Sequence, residues 1–455
     1  MDSAEGHRAV AERALKTAIT APESMTKAQL RRVFRLFESG DKSIRLSASW
    51  TIGLLVSERP EALSGSVRSL VSLLKSEPES THEDIYRSLA YIATYHPKLV
   101  RDAIEEIDLN EPEIERRVVR AIDGYQPPGD GSVTVTATSG VSEFETVITR
   151  DTGGKHAEKR QPTPRSSPGR PPEQPPPTPP AVEGRSDSFT PVKSLSSGSR
   201  VAHEQVRYTT TQGDHTTMRK SLRESVSTEF DAEFTDAARQ WQAVDDHDAI
   251  VPVIGYGTIP TPWLVVEYQH GRRLSQRTGS LPRPEAAWII DRVVDALCYA
   301  HGRGVIHGGL TPRNVVFTPS YDDELWAYPK VSNWGLSRLF RRFSDLPLGV
   351  PPAYAAPEQV APETFGSVDA ATDIYHLGGI VYEVLTGRPP FVDHPGMILR
   401  KVATELPSAP SEHNAALPSA VDTVVLKSLQ KAKLSRHGSV HDFQAELSGA
   451  LEAVQ

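Results

Sequence analysis

The stretch HGGLTPRN, His307–Asn314, decides how this chain is read. It sits behind EAAWIIDRVVDALCYAHGRG (285–304), in which apolar residues recur at helical spacing until glycine closes the run. VVF (315–317) and PKVSNW (329–334) follow it as short strands, and WLVVEY (263–268) precedes the helix as a compact apolar strand. From about residue 190 the chain is therefore a small strand-rich part followed by a long helical part. HGGLTPRN is the polar turn where a helix gives way to a strand, and two of its eight residues are glycine.

With 455 residues the chain exceeds what one hydrophobic core usually serves, so two or three domains are expected. A net charge of -8 argues against a dominant nucleic-acid footprint, which needs clustered Lys and Arg. The single cysteine, Cys298, lies in an apolar helical pattern; no intramolecular disulfide can form, and a reducing compartment is expected. MDSAEGHRAVAER at the start carries charge where a secretory signal needs its apolar core. No run reaches the ~20 apolar residues of a spanning helix, since Asp291, Arg292 and Asp295 interrupt the best one. The expectation is a soluble, cytoplasmic protein that engages neither nucleic acid nor membrane.

Residues 1–124 alternate helical periodicity with short breaks, and the pattern repeats. LRRVFRLFES (30–39) aligns with VRSLVSLLKS (67–76), and WTIGLLVSERPEAL (50–63) with RSLAYIATYHPKLV (87–100), both at an offset of 37. One shared offset is what stacked helix pairs require, because each pair must present its apolar face at the same place. Pro22, Pro60 and Pro97 recur at nearly this period. About three units result and resemble HEAT-type or armadillo-like repeats, an irregular helical bundle being the alternative; either offers a surface for protein partners. Residues 125–187 change character, ending in RQPTPRSSPGRPPEQPPPTPPAVEGRSD. Dense proline fixes φ and removes donors, so an extended, polyproline-like, largely disordered linker is expected. Within it SVTVTATSG and EFETVITR can pair as a β-hairpin, and the PxxP and Ser/Thr-Pro elements are candidate docking or phosphorylation sites.

AHGRGVIHGGLTPRNVVF, KVSNWGLSRL, YAAPEQV, TDIYHLGGIVYEVLTGRPPF and SRHGSVHDFQAEL occur in the order and at the spacings of a protein-kinase C-lobe. Residues 188–455 resemble the bacterial Ser/Thr protein kinase type, with an N-lobe over 188–268 and a C-lobe over 269–455. The implied architecture is an α+β protein-kinase-like two-lobe fold behind an N-terminal all-α helical-repeat domain. The resemblance assigns structural work to Glu358 and Arg436 as an ion pair, to Asp373 as the brace of the catalytic-loop backbone, and to His307 and Trp334 as members of an apolar spine. All of these residue types are present.

The chemistry is another matter. Phosphoryl transfer in this family asks for an Asp that orients the nucleophile, a Lys beside it, Mg2+ held by an Asn and an Asp, a Lys on the phosphates gripped by a Glu, and a glycine loop. Gly309 occupies the catalytic Asp position and Thr311 the Lys position, so the resemblance assigns no catalytic residue here. Asn314 survives, but Asn333 replaces the metal-binding Asp, leaving two neutral amides where Mg2+ is usually held through carboxylates. Loss of a general base alone commonly costs about 10²- to 10⁴-fold. GSRVAHEQVRYTTTQGD offers Gly198 and Gly213 but no G-x-G-x-x-G. Lys220 matches the phosphate-pairing lysine, Ala237 falls where its Glu belongs, and Glu233 one turn earlier is a poor substitute. Asp322 and Asp323 are expected to face solvent, and His215, His247 and His301 lack metal-ligand spacing.

The nucleotide-binding candidates are Lys220, Glu267 and Gln269 (through backbone groups at the adenine position), Asn314 and Asn333, with Asn314 and Asn333 also the only metal candidates. No resident cofactor is assigned; ATP, with or without Mg2+, is the ligand to test. The leading expectation is a pseudokinase acting as scaffold or allosteric partner, an active kinase being one candidate partner for its helical repeats. The rivals are an ATP-dependent Ser/Thr protein kinase with non-standard residues and a non-hydrolysing ATP sensor. Ser337 and Ser344, in the segment replacing an activation loop, are candidate phosphorylation sites.

Overall fold

The structure is a computed structural model and describes residues 4–58, 63–76, 79–107, 116, 119, 169–182, 185–196, 201–224, 226–268, 273–318, 324–336, 339 and 346–452. The expected hairpin at 132–150, Gly198, Gln269, Asp322, Asp323, Ser337 and Ser344 lie outside them. Six helices come first: α1 (Ala4–Thr20), α2 (Lys27–Arg35), α3 (Lys42–Glu58), α4 (Leu63–Ser76), α5 (Glu79–Tyr95) and α6 (Pro97–Glu106). Strands β1 (Thr190–Ser196), β2 (Val201–Thr210) and β3 (Gly213–Leu222), helix α7 (Thr228–Gln242), and strands β4 (Val253–Gly257) and β5 (Trp263–Glu267) follow. The rest comprises α8 (Arg283–His301), β6 (Val315–Thr318), β7 (Tyr328–Val331), α9 (Ala370–Thr386), α10 (Pro395–Thr404), α11 (Ser419–Ser428) and α12 (Val440–Glu452), with short helical turns between. Among the described residues no helix is long and apolar enough to cross a membrane.

The chain forms two compact units, and neither is contiguous in sequence. The first comprises Met1–Ser132, Ser344–Ser367 and Phe391–Pro407. Its described N-terminal part is all-helical, and the bounds of α3 and α5 differ by 37 residues at both ends, the offset read from the sequence. Two buried polar contacts join these helices: Arg45 Nε donates to Asp84 Oδ2 at 2.9 Å, and Ser88 Oγ to Ser49 Oγ at 2.9 Å. Burial raises the Asp84 carboxyl despite Arg45 beside it. Helix α10 closes against α3, where a Cβ on Gly396 would meet the Trp50 carbonyl oxygen at 2.3 Å, and the His394 ring stacks on Tyr91 at 4.2 Å. Only glycine permits that approach at 396.

The second unit comprises Val133–Phe343, Val368–Pro390 and Ser408–Gln455. A five-stranded antiparallel sheet in the order β1-β2-β3-β5-β4 forms one lobe. Helix α7 is capped by Ser227, whose Oγ accepts the Phe230 N–H, and buries Phe230, Phe234, Ala237, Ala238 and Trp241, the stripe that helical periodicity demands. The other lobe is helical, with α8, α9, α11 and α12 around the β6–β7 hairpin. Asp369 caps the start of α9 and Gly387, at φ 77, ends it in the left-handed conformation glycine tolerates. The lobes meet at Val251 and Val331, where Val251 N–H donates to the Val331 carbonyl and Val331 N–H to the Ala249 carbonyl. A sheet lobe and a helical lobe are both present, as the expected two-lobe fold class requires.

The expectation of an uncommitted spacer does not extend to Gly169–Val182. Arg170 N–H donates to the Glu324 carbonyl, Trp326 N–H to the Arg170 carbonyl, and Val182 N–H to the Ile254 carbonyl, each at 2.9 Å. These prolines are docked on the second unit at both ends.

Asp245, in the turn after α7, accepts the Val253 N–H at 2.8 Å, and burial, with Asp246 beside it, pushes its carboxyl up to about 6. A carboxyl raised in the folded state stabilises below its unfolded pKa, and that contribution is lost as pH rises through about 6. At pH 7.5 the buried charge is therefore a burden that asparagine would relieve while keeping the acceptor. Asp245→Asn is expected to raise the thermal midpoint at pH 7.5 by about 2–4 °C, on the order of 1 kcal/mol after discounting for solvent access. The gain should vanish near pH 4; an equal gain at both pH values would assign the effect to something other than this charge.

Candidate functional site

The catalytic-loop segment is held from beneath by one buried carboxylate. Asp373, on α9 and fully buried, accepts the His307 N–H at 2.7 Å and the Gly308 N–H at 2.8 Å. His301 Nε2 lies 2.9 Å from the same carboxylate. Burial alone would raise the Asp373 carboxyl, but hydrogen bonds from His301 and His376 and the nearby His307 hold it well below the usual carboxylate range. His307 itself is buried, its Nε2 3.0 Å from the Ser332 carbonyl, and desolvation lowers its pKa to about 4. It packs on Trp334 with ring centroids 5.1 Å apart. Gly308 sits at φ 69, which favours glycine.

Above this brace, Gly309 is buried and brings no functional group. Thr311 is buried and turns into its own loop: its N–H and its hydroxyl both donate to Asn314 Oδ1, at 2.9 and 2.8 Å. Asn333 is the one described non-glycine residue with positive φ, at 71, a region Asn tolerates better than most side chains. Its Oδ1 accepts a hydrogen bond from Lys220 Nζ. Lys220 is delivered there by β3, paired opposite Leu264 of β5. Ala237 lies near the turn after β7, its Cβ 3.7 Å from where a Cβ on Gly335 would stand, and Glu233, one turn earlier on α7, is exposed. The sheet therefore brings Lys220 to Asn333.

Glu267 carries a role its backbone does not suggest. Its carboxylate lies 2.8 Å from Lys330 Nζ, both side chains being buried, so this ion pair joins the end of β5 to β7. The cleft beside it, walled by Met218, Val266 and Val316 with Arg273 and Ser332 as polar members, has a volume of about 60 Å³. Pockets that enclose drug-sized ligands run to roughly 300–1,000 Å³.

A magnesium nucleotide does not fit this donor set. The amide oxygens of Asn314 and Asn333 are already engaged by Thr311 and Lys220, and Mg2+ is a hard cation that favours carboxylate oxygens. Among the described residues no three His, Cys, Asp or Glu side chains gather as a metal cluster.

Of the remaining expected residues, Glu358 is buried in the turn Pro357–Val360 of the first unit. Arg436 is buried in the second, donating to the carbonyls of Gln430 and Ala371. His215 stacks on Tyr208, and His247 leans on Tyr299. Cys298 is half-buried, and desolvation pushes its thiol up to about 11, leaving little thiolate. Sequence reasoning missed His301 and Lys330. His301 lies six residues before His307, at the end of α8, and looked unplaced; Lys330 was visible as a lone charge inside an apolar strand run.

A five-stranded antiparallel lobe whose third strand aims a lysine at the turn after β7, joined to a helical lobe whose loop is braced by a buried aspartate, defines a protein-kinase-type domain. The profile of the protein kinase domain family matches residues 204–444, just over half of the chain, and the chain belongs to that family. It is 30% identical over 216 residues to the serine/threonine-protein kinase PknB of Mycobacterium leprae, across 44% of this chain and 33% of that protein. It is 33% identical over 214 residues to the serine/threonine-protein kinase Pkn1 of Myxococcus xanthus, across 45% and 30%. The chain thus spans about a third of the length of these curated relatives. The crystal structure of the Mycobacterium tuberculosis PknI kinase domain matches with a TM-score of 0.45 and 23% identity, over 58% of this chain and 96% of that one.

Proposed function

We propose that the chain is a pseudokinase, a protein-kinase fold retained for shape and used as a scaffold or allosteric partner in signalling. The observation that carries this is the site itself: no side chain at Gly309, and amide oxygens at Asn314 and Asn333 turned to Thr311 and Lys220. Two of the expected structural contacts support the same reading, Asp373 bracing the loop and His307 packed on Trp334. The helical region, read as HEAT-type repeats from its 37-residue offset, supplies a protein-binding surface, an active kinase being one partner class to test.

The test is calorimetric titration of the full chain with ATP, with and without Mg2+, beside phosphate incorporation into a generic protein substrate. The expected result is no magnesium-dependent heat and no incorporation above that of Lys220→Met. Magnesium-dependent binding with transfer that Lys220→Met abolishes would overturn the reading in favour of an active Ser/Thr kinase. A second reading has one observation behind it: Lys220 is delivered to the phosphate-facing corner as in a nucleotide-binding protein. Metal-independent ATP heat without incorporation, accompanied by a raised thermal midpoint, would establish this non-hydrolysing sensor instead.

A further inference from the structure

Within Gly169–Val182 an exposed side-chain contact joins Arg170 to Glu173 at 3.4 Å, and the backbone of the segment is fixed at its two ends by other parts of the chain. Polyproline II turns every three residues, so a docked segment should bury every third side chain. Pro172, Pro176 and Pro179 are half-buried at close to this spacing, the step of four falling across the bend at Glu173–Gln174, and Pro180 and Val182 are half-buried where the segment meets the sheet. Arg170, Pro171, Glu173, Gln174, Pro175, Pro177 and Thr178 are exposed between them. Alternation of half-buried and exposed residues marks an extended segment with one side turned to a surface.

That surface has the chemistry polyproline helices favour, aromatic rings with a polar handle. At one end the segment pairs with Glu324 and Trp326, and Trp326 packs on Trp288 with centroids 5.5 Å apart. At the other end Tyr208 Oη donates to the Pro180 carbonyl at 2.6 Å. Val182 packs on the core cluster that contains Phe189, Tyr208, Ile254 and Trp263. β4 is the edge strand of its sheet, and Val182 N–H occupies the Ile254 carbonyl there, so the segment also covers an edge that would otherwise template foreign pairing. The two anchorage points are on different lobes, with a strap of twelve residue steps, at most about 37 Å of polyproline helix, between them.

We propose that the kinase-like domain carries a polyproline-binding groove running from Trp326 to Tyr208 and Ile254, and that residues Gly169–Val182 are its ligand in cis, strapping the sheet lobe to the β6–β7 hairpin. The partner class the groove fits is a proline-rich peptide in polyproline II conformation. Because the cis ligand is tethered, its effective concentration is on the order of millimolar, and an external peptide competes only when the strap is weakened.

Hydrogen exchange on the full chain is the first test: the amides of Arg170, Val182 and Trp326 should exchange at least about 10²-fold more slowly than those of Glu173 and Gln174, which accept no such protection from the lobes. Random-coil rates across 169–182 would overturn the proposal. The second test uses the full-length triple variant Pro172→Gly, Pro176→Gly, Pro179→Gly and a fluorescent synthetic peptide of residues 169–182. The peptide should bind this variant at least about tenfold more tightly than the wild-type chain, and adding Tyr208→Phe should weaken that binding about threefold to tenfold. Equal affinity for both chains, or none for a variant whose β4 amides remain protected, would overturn it. Neither readout involves ATP, so a failure here is separate from a failure of the pseudokinase reading.

Discussion

Asp373→Ala is expected to lower the stability of the second unit by about 3–5 kcal/mol, because it removes the acceptor of two buried loop amides at once. His307 N–H and Gly308 N–H both end on this carboxylate, and His301 Nε2 is beside it. No water-accessible alternative exists for a group as buried as Asp373. In a domain of this size the loss reads as a fall in thermal midpoint on the order of 10 °C, with faster hydrogen exchange across 305–311. Asp373→Asn keeps one acceptor oxygen and should cost about half as much. A fall under about 1 kcal/mol for the alanine variant would mean the loop is held by something other than Asp373.

Glu267→Ala should be almost as damaging, and for the opposite reason. It leaves the Lys330 ammonium buried without its carboxylate, a loss that typically costs about 3–5 kcal/mol. Replacing both partners, Glu267→Met with Lys330→Met, removes the charge altogether and should restore stability to near wild type, since buried pairs are often matched by apolar residues of similar volume. The double variant being more stable than the single one is the decisive comparison. If instead the two losses add, the pair is not a coupled unit and the contact at 2.8 Å contributes little.

The kinase-type lobes were legible because five motifs occur in the order and at the spacings of a protein-kinase C-lobe, and that resemblance carries the chain path. Lys220 was matched to the phosphate-pairing lysine through the family resemblance, and the structure sets it on β3 opposite Leu264. What stayed hidden depends on long-range partners. His301 reads as a lone histidine until the fold brings α9 beneath it. Proline-rich composition specifies an extended helix but is silent on whether a surface awaits it, so Gly169–Val182 read as spacer. That α10 packs with α3 was equally invisible, because the fit rests on the absence of one side chain at Gly396.

That last contact sets a clock. Helices α3 and α5 emerge from the ribosome long before α10, which closes against α3 and brings His394 onto Tyr91. At roughly 5–20 residues per second, the intervening chain takes on the order of 15–60 s to synthesise. Through that interval the Trp50 and Tyr91 faces are made but uncovered, and a nascent chain in this state is a natural client for a chaperone. A protein truncated before Pro395 would remain in it permanently, and its misfolding would say nothing about the chemistry of the kinase-like site.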